Sequence, residues 1–204
     1  MLYRIWFVLS VMLISASALS QSDKELYEAR CAACHQSSGE GSAALKAPNL
    51  SGLSIAYVAR QLRLFRSDSR GSLAEDTQGQ MMRAAALGLS DSQVDKLAGY
   101  VGSLVDVPVN LEKQSTGFRG RGLYSVCSSC HGAQGEGNEA LGAPRIAQQY
   151  SWYLRSQLNS YKKGWRGGES GDELGRQMRS MALTVDDADL ELLIRHVTGL
   201  GVKP

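Results

Sequence analysis

Two copies of the pattern Cys-x-x-Cys-His contain all four cysteines of the chain. The two thiols of each copy lie three positions apart, so on one helical turn they can add across the two vinyl groups of a haem. The histidine that follows directly can then bind the haem iron on its proximal side. The predicted attachment residues and proximal ligands are Cys31, Cys34, Cys127, Cys130, His35 and His131.

Paired cysteines have three other common uses in proteins. A redox dithiol belongs to a thioredoxin-like strand–helix context, and it does not explain a histidine after both pairs. One zinc ion bound by all four cysteines requires pairs roughly 15–20 residues apart, whereas these pairs lie 96 residues apart. Structural disulfides are possible in an exported protein. The duplicated histidine favours haem attachment over all three.

A shift of 96 residues lays the second half of the chain on the first, without a gap from the first cysteine onward. Both Cys-x-x-Cys-His motifs coincide under this shift. Further matched pairs are Pro48 with Pro144, Tyr57 with Tyr153, Gln61 with Gln157, Arg70 with Arg166, and Met82 with Met178. An internal repeat with one motif in each copy predicts a duplicated domain that binds two haems in total.

Each copy has the pattern of helices joined by glycine-rich loops. Short helices are expected before each motif, and middle helices at 55–66 and 152–163. Capping pairs, Ser90 with Gln93 and Asp186 with Asp189, predict where the last helix of each copy begins. Apolar residues then recur at helical spacing: Val94, Leu97, Ala98, Val101 and Leu104, and Leu190, Leu193, Ile194, Val197 and Leu200. Because no segment has a convincing strand pattern, we expect an all-α protein.

The first 20 residues have the features of an export signal. Arg4 and the free amine give a positive start, an apolar run follows at 5–14, and small residues up to Ser20 allow cleavage. The apolar run is shorter than the roughly 20 residues of a spanning helix. The sequence therefore predicts a cleaved signal peptide at 1–20 and a periplasmic location.

The overall composition excludes one class of function. An apolar content of 43% is ordinary for a globular protein, and the formal net charge is +2. Nucleic-acid binding normally requires a clustered basic face, which this balanced chain lacks. We therefore expect no nucleic-acid partner.

The distal iron ligands must come from other side chains. Once His35 and His131 are used, only His196 is left, which excludes two bis-histidine haems. Methionine is the natural alternative, because its soft thioether sulfur favours reduced iron. Four methionines lie beyond the leader, in two segments expected to be loops: Met81, Met82, Met178 and Met181. Only Met82 and Met178 align in the repeat, each 47 residues after its proximal histidine, so they are the predicted distal ligands.

This order of parts resembles class I cytochrome c, and in tandem it is similar to the dihaem cytochrome c4 family. The resemblance covers essentially the whole chain after the leader. It implies two tandem all-α domains at 21–108 and 109–204, each with one covalently bound haem c. It also implies that the carbonyl groups of Pro48 and Pro144 accept a hydrogen bond from the proximal histidines. The family places its distal methionine eight residues before the cap of the last helix, which again selects Met82 and Met178.

Several positions have open alternatives. Arg70 and Arg166 could pair with haem propionates, since guanidinium suits carboxylates, or could be solvated surface residues. Tyr57 and Gln61 could pack or hydrogen-bond on the middle helix. His196 aligns with Tyr100 and is expected to be a packing residue where the terminal helices cross.

The resemblance implies a monomeric periplasmic electron carrier rather than an enzyme, with a possible peripheral membrane association. Its donor would be a membrane quinol-oxidising complex and its acceptor a terminal oxidase. One alternative is a haem-bearing electron-transfer subunit of a periplasmic dehydrogenase. Another is a dihaem peroxidase-like enzyme, which would require an open iron site with distal acid–base residues.

Overall fold

The computed structural model describes residues 22–109, 116–168 and 171–201. Within these ranges the protein is built from α-helices, one 3₁₀ turn at Glu139–Leu141, and two isolated bridges in place of strands. The helices of the first copy are α1 Asp23–Arg30, α2 Ala32–His35, α3 Ile55–Arg66, α4 Thr77–Ala86 and α5 Asp91–Ser103. Those of the second are α6 Gly117–His131, α7 Ser151–Lys162, α8 Glu173–Ala182 and α9 Asp187–Thr198. The predicted all-α fold is confirmed, and the predicted signal peptide at 1–20 lies outside the described residues.

The first and last helices of each copy pack across one another. In the first copy α1 crosses α5, where the rings of Tyr27 and Tyr100 lie 5.0 Å apart. In the second, α6 crosses α9, where Tyr124 and His196 lie 5.5 Å apart. His196 therefore occupies the helix crossing, as its alignment with Tyr100 predicts. Gly120 lies at this crossing, where an added Cβ would collide with Thr116 Oγ1 and come within 3.2 Å of His196 Nδ1.

The last helices begin where the capping pairs predict, but the two starts differ. Ser90 and Gln93 form a complete capping box, in which each side chain bonds the backbone of the other residue. Asp186 stands at the start of α9 and makes no such side-chain bond, so the predicted pairing with Asp189 is wrong. Asp189 instead forms an ion pair with Arg119. Both helices bury the first four residues of the predicted apolar stripe in the centre of each core, whereas Leu104 and Leu200 lie beyond the helix ends and are half-buried.

The methionine-bearing segments are helices, not the loops that the sequence suggested. Asp76 and Asp172 begin α4 and α8, and each accepts a hydrogen bond of 2.9 Å from the backbone N–H three residues later. Those N–H groups belong to Gly79 and Gly175, where an added Cβ would collide with the capping carboxylate. The glycine content of these segments therefore serves the caps, and the methionines project from rigid elements.

Candidate haem sites

The histidine of each motif is buried and oriented by a proline carbonyl. His35 Nδ1 lies 3.0 Å from the Pro48 carbonyl oxygen, and His131 Nδ1 lies 2.8 Å from that of Pro144. Nδ1–H donates to the carbonyl, which leaves Nε2 of each ring free to bind a metal. Burial lowers the pKa of both histidines, so each imidazole stays neutral, the form that ligates iron.

The four cysteines are free thiols with paired environments. Cys31 and Cys127 are half-buried, whereas Cys34 and Cys130 are exposed. Burial raises the pKa of Cys31 to about 11 and also raises that of Cys127. A redox dithiol depends on a lowered thiol pKa, so this environment does not suit that chemistry. Among the described residues no three metal-binding side chains converge, so the two cysteine pairs do not form one zinc site.

A cavity opens beside His131 and contains a methionine. Met178, on α8, lines this cavity together with Cys127, Cys130 and His131. Met181 reaches the cavity as well, but 41% of its surface is exposed, whereas Met178 is half-buried.

The first copy separates its two methionines more clearly. Met82 is half-buried and packs against the first core beside Cys31. Met81 has 59% of its surface exposed. In both copies, therefore, the methionine shared by the repeat faces the interior.

The two middle helices meet at a polar cluster that spans the domain boundary. Arg70 donates to the Oε1 atoms of Gln61 and Gln157, over 2.6 and 2.8 Å. Arg166 donates to the same two oxygens, over 2.5 Å to Gln157 and 3.1 Å to Gln61. Only 6% of Arg70 and 3% of Arg166 is exposed, so the alternative of solvated surface arginines is wrong.

The positive charge of this arginine–glutamine cluster acts on a neighbouring tyrosine. Burial raises the pKa of Tyr57, but Arg166, Arg70 and Arg60 more than offset that effect, and the pKa lies below its ordinary value. Three guanidinium groups therefore act together on the hydroxyl group of Tyr57.

Comparison with known proteins places these features in a family. The family model described as cytochrome c matches the chain twice, at residues 23–105 and 118–200. Cytochrome c4 from Azotobacter vinelandii is 27% identical over 83% of this chain and 84% of its own length. A thiosulfate dehydrogenase electron acceptor from Thiomonas intermedia is 31% identical over 86% of this chain and 81% of its own. The chain belongs to the dihaem cytochrome c4 family.

The fold of this cytochrome agrees with the same family. The crystal structure of reduced recombinant cytochrome c4 from Pseudomonas stutzeri superimposes with a TM-score of 0.71, at 24% identity. The match covers 87% of this chain and 96% of that one. Two tandem cytochrome c domains, each with one covalently bound haem c, follow from these comparisons.

The residues around His131 fit a haem. The cavity has an apolar wall suited to the macrocycle, formed by Leu154, Leu158, Leu193, Ile194 and Val197. At its domain-boundary side, the Nε atoms of Arg60 and Arg166 are buried and have no hydrogen-bond partner among the described residues. Propionate carboxylates would supply the missing acceptors, since guanidinium pairs well with carboxylate.

Sequence reasoning missed the contacts that join the copies. The repeat already paired Gln61 with Gln157 and Arg70 with Arg166, so the equivalence of these residues was visible. Their convergence does not follow from the repeat, because the pattern within one copy carries no information on how the two copies pack together. A matched pair of cations with matched amides was the available signal of an interface between the copies.

Proposed function

We propose that this dihaem cytochrome carries single electrons with histidine and methionine on both irons. His35 and Met82 would bind the first iron, and His131 and Met178 the second. The observation that supports this best is the cavity in which Met178 and His131 both stand, with His131 held by Pro144. The repeat extends the assignment to Met82. We retain 21–108 and 109–204 as the proposed domain limits.

Each group of residues has a distinct part in this function. Haem c supplies the one-electron Fe(III)/Fe(II) chemistry. The four cysteines attach the two groups, and the Pro48 and Pro144 carbonyls fix the imidazole rings and increase their basicity. A thioether ligand raises the reduction potential and fills the distal position. Exposure of Cys34 and Cys130 leaves one edge of each site near solvent, where an electron can pass to another protein.

We propose that the protein works in the periplasm after removal of residues 1–20, as a monomer that can associate peripherally with the membrane. No helix in the described part of the chain is long and apolar enough to cross a membrane. Its donor would be a quinol-oxidising complex and its acceptor a terminal oxidase. Similarity to cytochrome c4 supports this role.

A second candidate is the electron acceptor of a periplasmic dehydrogenase. The relative from Thiomonas intermedia, named a thiosulfate dehydrogenase electron acceptor, covers nearly the whole chain and supports this role. The site chemistry is the same in both roles, and only the donor differs. An enzyme of the dihaem peroxidase type would need an open iron position, which the proposed methionine ligands fill.

The haem content and the ligation can be tested on the exported protein. A pyridine haemochrome assay should give two haems per polypeptide, and acid–acetone should leave the colour with the protein. Redox titration should show two one-electron steps, and carbon monoxide should bind the reduced protein poorly. One haem per chain, or rapid carbon monoxide binding to one site, would contradict the proposal.

The donor can be tested by stopped-flow reduction of the oxidised holoprotein. A quinol-oxidising complex supplied with quinol should reduce both haems rapidly if the first role holds. Thiosulfate with a thiosulfate dehydrogenase should do so if the second role holds. Comparison of the two rates at equal donor concentration decides between them.

A further inference from the structure

The first domain places one arginine in the cavity of the second, and the equivalent position of the second domain is neutral. Arg60, on α3, lines the cavity that contains His131 and Met178. Its Nη2 donates a 2.9 Å hydrogen bond to the Gly142 carbonyl of the second copy. The residue at the equivalent position is Ser156, which is neutral. Arg60 is therefore a charge that the repeat does not duplicate.

The charge of Arg60 has no counter-ion among the described residues. Its guanidinium lies 5.2 Å from the centre of the Tyr57 ring, and its Nε is buried without a partner. Within the described ranges it forms no ion pair with a carboxylate. Arg145, which lines the same cavity, is paired with Asp106, so its charge is largely balanced.

The equivalent contact, from the second domain to the first, contains no buried charge. Ser156 Oγ donates to Gln78 Oε1 over 3.1 Å, a bond between two neutral groups. Lys46 stands at the position equivalent to Gly142 and lies 5.3 Å from the centre of the Trp152 ring. Lys46 is exposed, so water and salt screen its charge far more than that of Arg60.

Charged residues that occur at equivalent positions in both copies do not make the reduction potentials of the two haems differ. Arg70 matches Arg166, and Asp76 matches Asp172, and all four are buried. A positive charge favours the form of the iron that carries less positive charge, which is Fe(II). The charge of Arg60, which has no counterpart at Ser156, thus favours reduction of the second haem over that of the first.

We propose that Arg60, a residue of the first domain, raises the reduction potential of the second haem above that of the first. This inference rests on the proposed electron-carrier function. In a singly reduced molecule the electron would then reside mainly on the second haem. Its transfer there would oxidise the first iron from Fe(II) to Fe(III) and reduce the second from Fe(III) to Fe(II), with no bond made or broken.

Redox titration of the holoprotein tests this with a set of matched variants. Arg60→Gln keeps a hydrogen-bond donor and removes the charge, whereas Arg60→Lys keeps the charge. Arg63→Gln is the control, because Arg63 lies on the same helix, is exposed, and pairs with Asp95 outside the cavity. We expect Arg60→Gln to lower the second-haem step by about tenfold in its one-electron equilibrium, or about 59 mV. Arg60→Lys should retain most of the wild-type value, and Arg63→Gln should change little.

The two steps are assigned by replacing one distal methionine at a time. Met178→His should lower the second-haem potential alone, so the remaining high step belongs to the first haem. In that background Arg60→Gln should leave the remaining high step unchanged. In a Met82→His background it should lower the remaining step.

Each outcome has a defined meaning. If Arg60→Gln moves both steps equally, or moves neither more than Arg63→Gln does, the inference is overturned while the carrier function stands. If the wild type lacks two reversible steps, the proposed function itself fails. Should Arg60→Gln not load haem, Ser156→Arg provides the reverse test. That cation faces the first domain, so it should raise the first-haem step and narrow the gap, and an unchanged gap would overturn the inference.

Discussion

Asn49 and Gln149 exchange two hydrogen bonds across the boundary between the copies. The Asn49 N–H donates to Gln149 Oε1 over 3.0 Å, and Gln149 Nε2 donates back to the Asn49 carbonyl over 2.8 Å. Both residues are buried. A single glutamine side chain thus pairs with the backbone of the other domain much as a neighbouring strand would.

Gln149→Ala should therefore destabilise the protein by about 1–3 kcal/mol, because it leaves the buried backbone N–H and carbonyl of Asn49 without partners. Denaturant unfolding of the holoprotein measures this loss. Gln80→Ala is the control, since Gln80 is exposed on α4. Equal effects of the two substitutions would show that the boundary pair adds nothing to stability.

Each predicted distal methionine has a neighbour that serves as its control. Methionine bound to Fe(III) haem gives a weak far-red absorption band. Met82→Ala and Met178→Ala should each remove about half of that band, because each takes the thioether from one of two irons. Met81→Ala and Met181→Ala should leave the band intact. Loss of intensity in the Met181→Ala protein would reverse the assignment in the second domain.

The starts of the two last helices provide a matched test of capping. Ser90→Ala removes the hydrogen bond that the Gln93 N–H donates to the Ser90 hydroxyl oxygen and should cost about 1 kcal/mol. Asp186→Ala removes no such bond and should cost less, since only its favourable charge near the helix N-terminus is lost. Unfolding free energies of the two variants decide the order, and a larger loss for Asp186→Ala would refute it.

His196 should make the second domain less stable at mildly acidic pH. Burial and the nearby Arg121 lower the pKa of its imidazole, whose Nδ1 lies 2.8 Å from Thr116 Oγ1. His196 takes up a proton near pH 6.5 in the unfolded chain, but only at a lower pH in the folded protein. The contribution of neutral His196 to the stability of the second domain is therefore complete above about pH 6.5. It is lost as the pH falls toward the pKa of His196 in the folded protein.

A variant that copies the first domain tests this pH dependence. His196→Tyr, which places at this crossing the residue type of Tyr100, should reduce the loss of stability between about pH 7.5 and pH 5.5. Denaturant unfolding at the two pH values measures the difference. An equal loss in wild type and variant would assign the acid sensitivity to other groups.

The sequence predicted the parts of each domain that depend on local chemistry. The middle helix α3 has the expected bounds, and α7 begins one residue before the expected position. The contacts of His35 with Pro48 and of His131 with Pro144 are present as the resemblance implied. These features follow from short motifs and helical periodicity, which a single sequence displays directly.

The remaining features depend on tertiary context. The methionine segments are rich in glycine and suggested loops, but the caps from Asp76 and Asp172 start helices there. The contact of Arg60 with Gly142 joins residues 82 positions apart, and no pattern in either copy indicates it. Such pairings are determined by how the two domains pack against each other.

The arginine–glutamine cluster has the geometry of a symmetric homodimer interface. Gln61 of one copy meets Arg166 of the other, and Gln157 meets Arg70, so each half offers the same surface and receives it in return. Interfaces of this isologous kind close on themselves and leave no free half to recruit a further molecule. Duplication has thus placed a two-fold contact inside one polypeptide. A change at either arginine position alters the environment of both halves at once, so the two copies cannot vary independently at this surface.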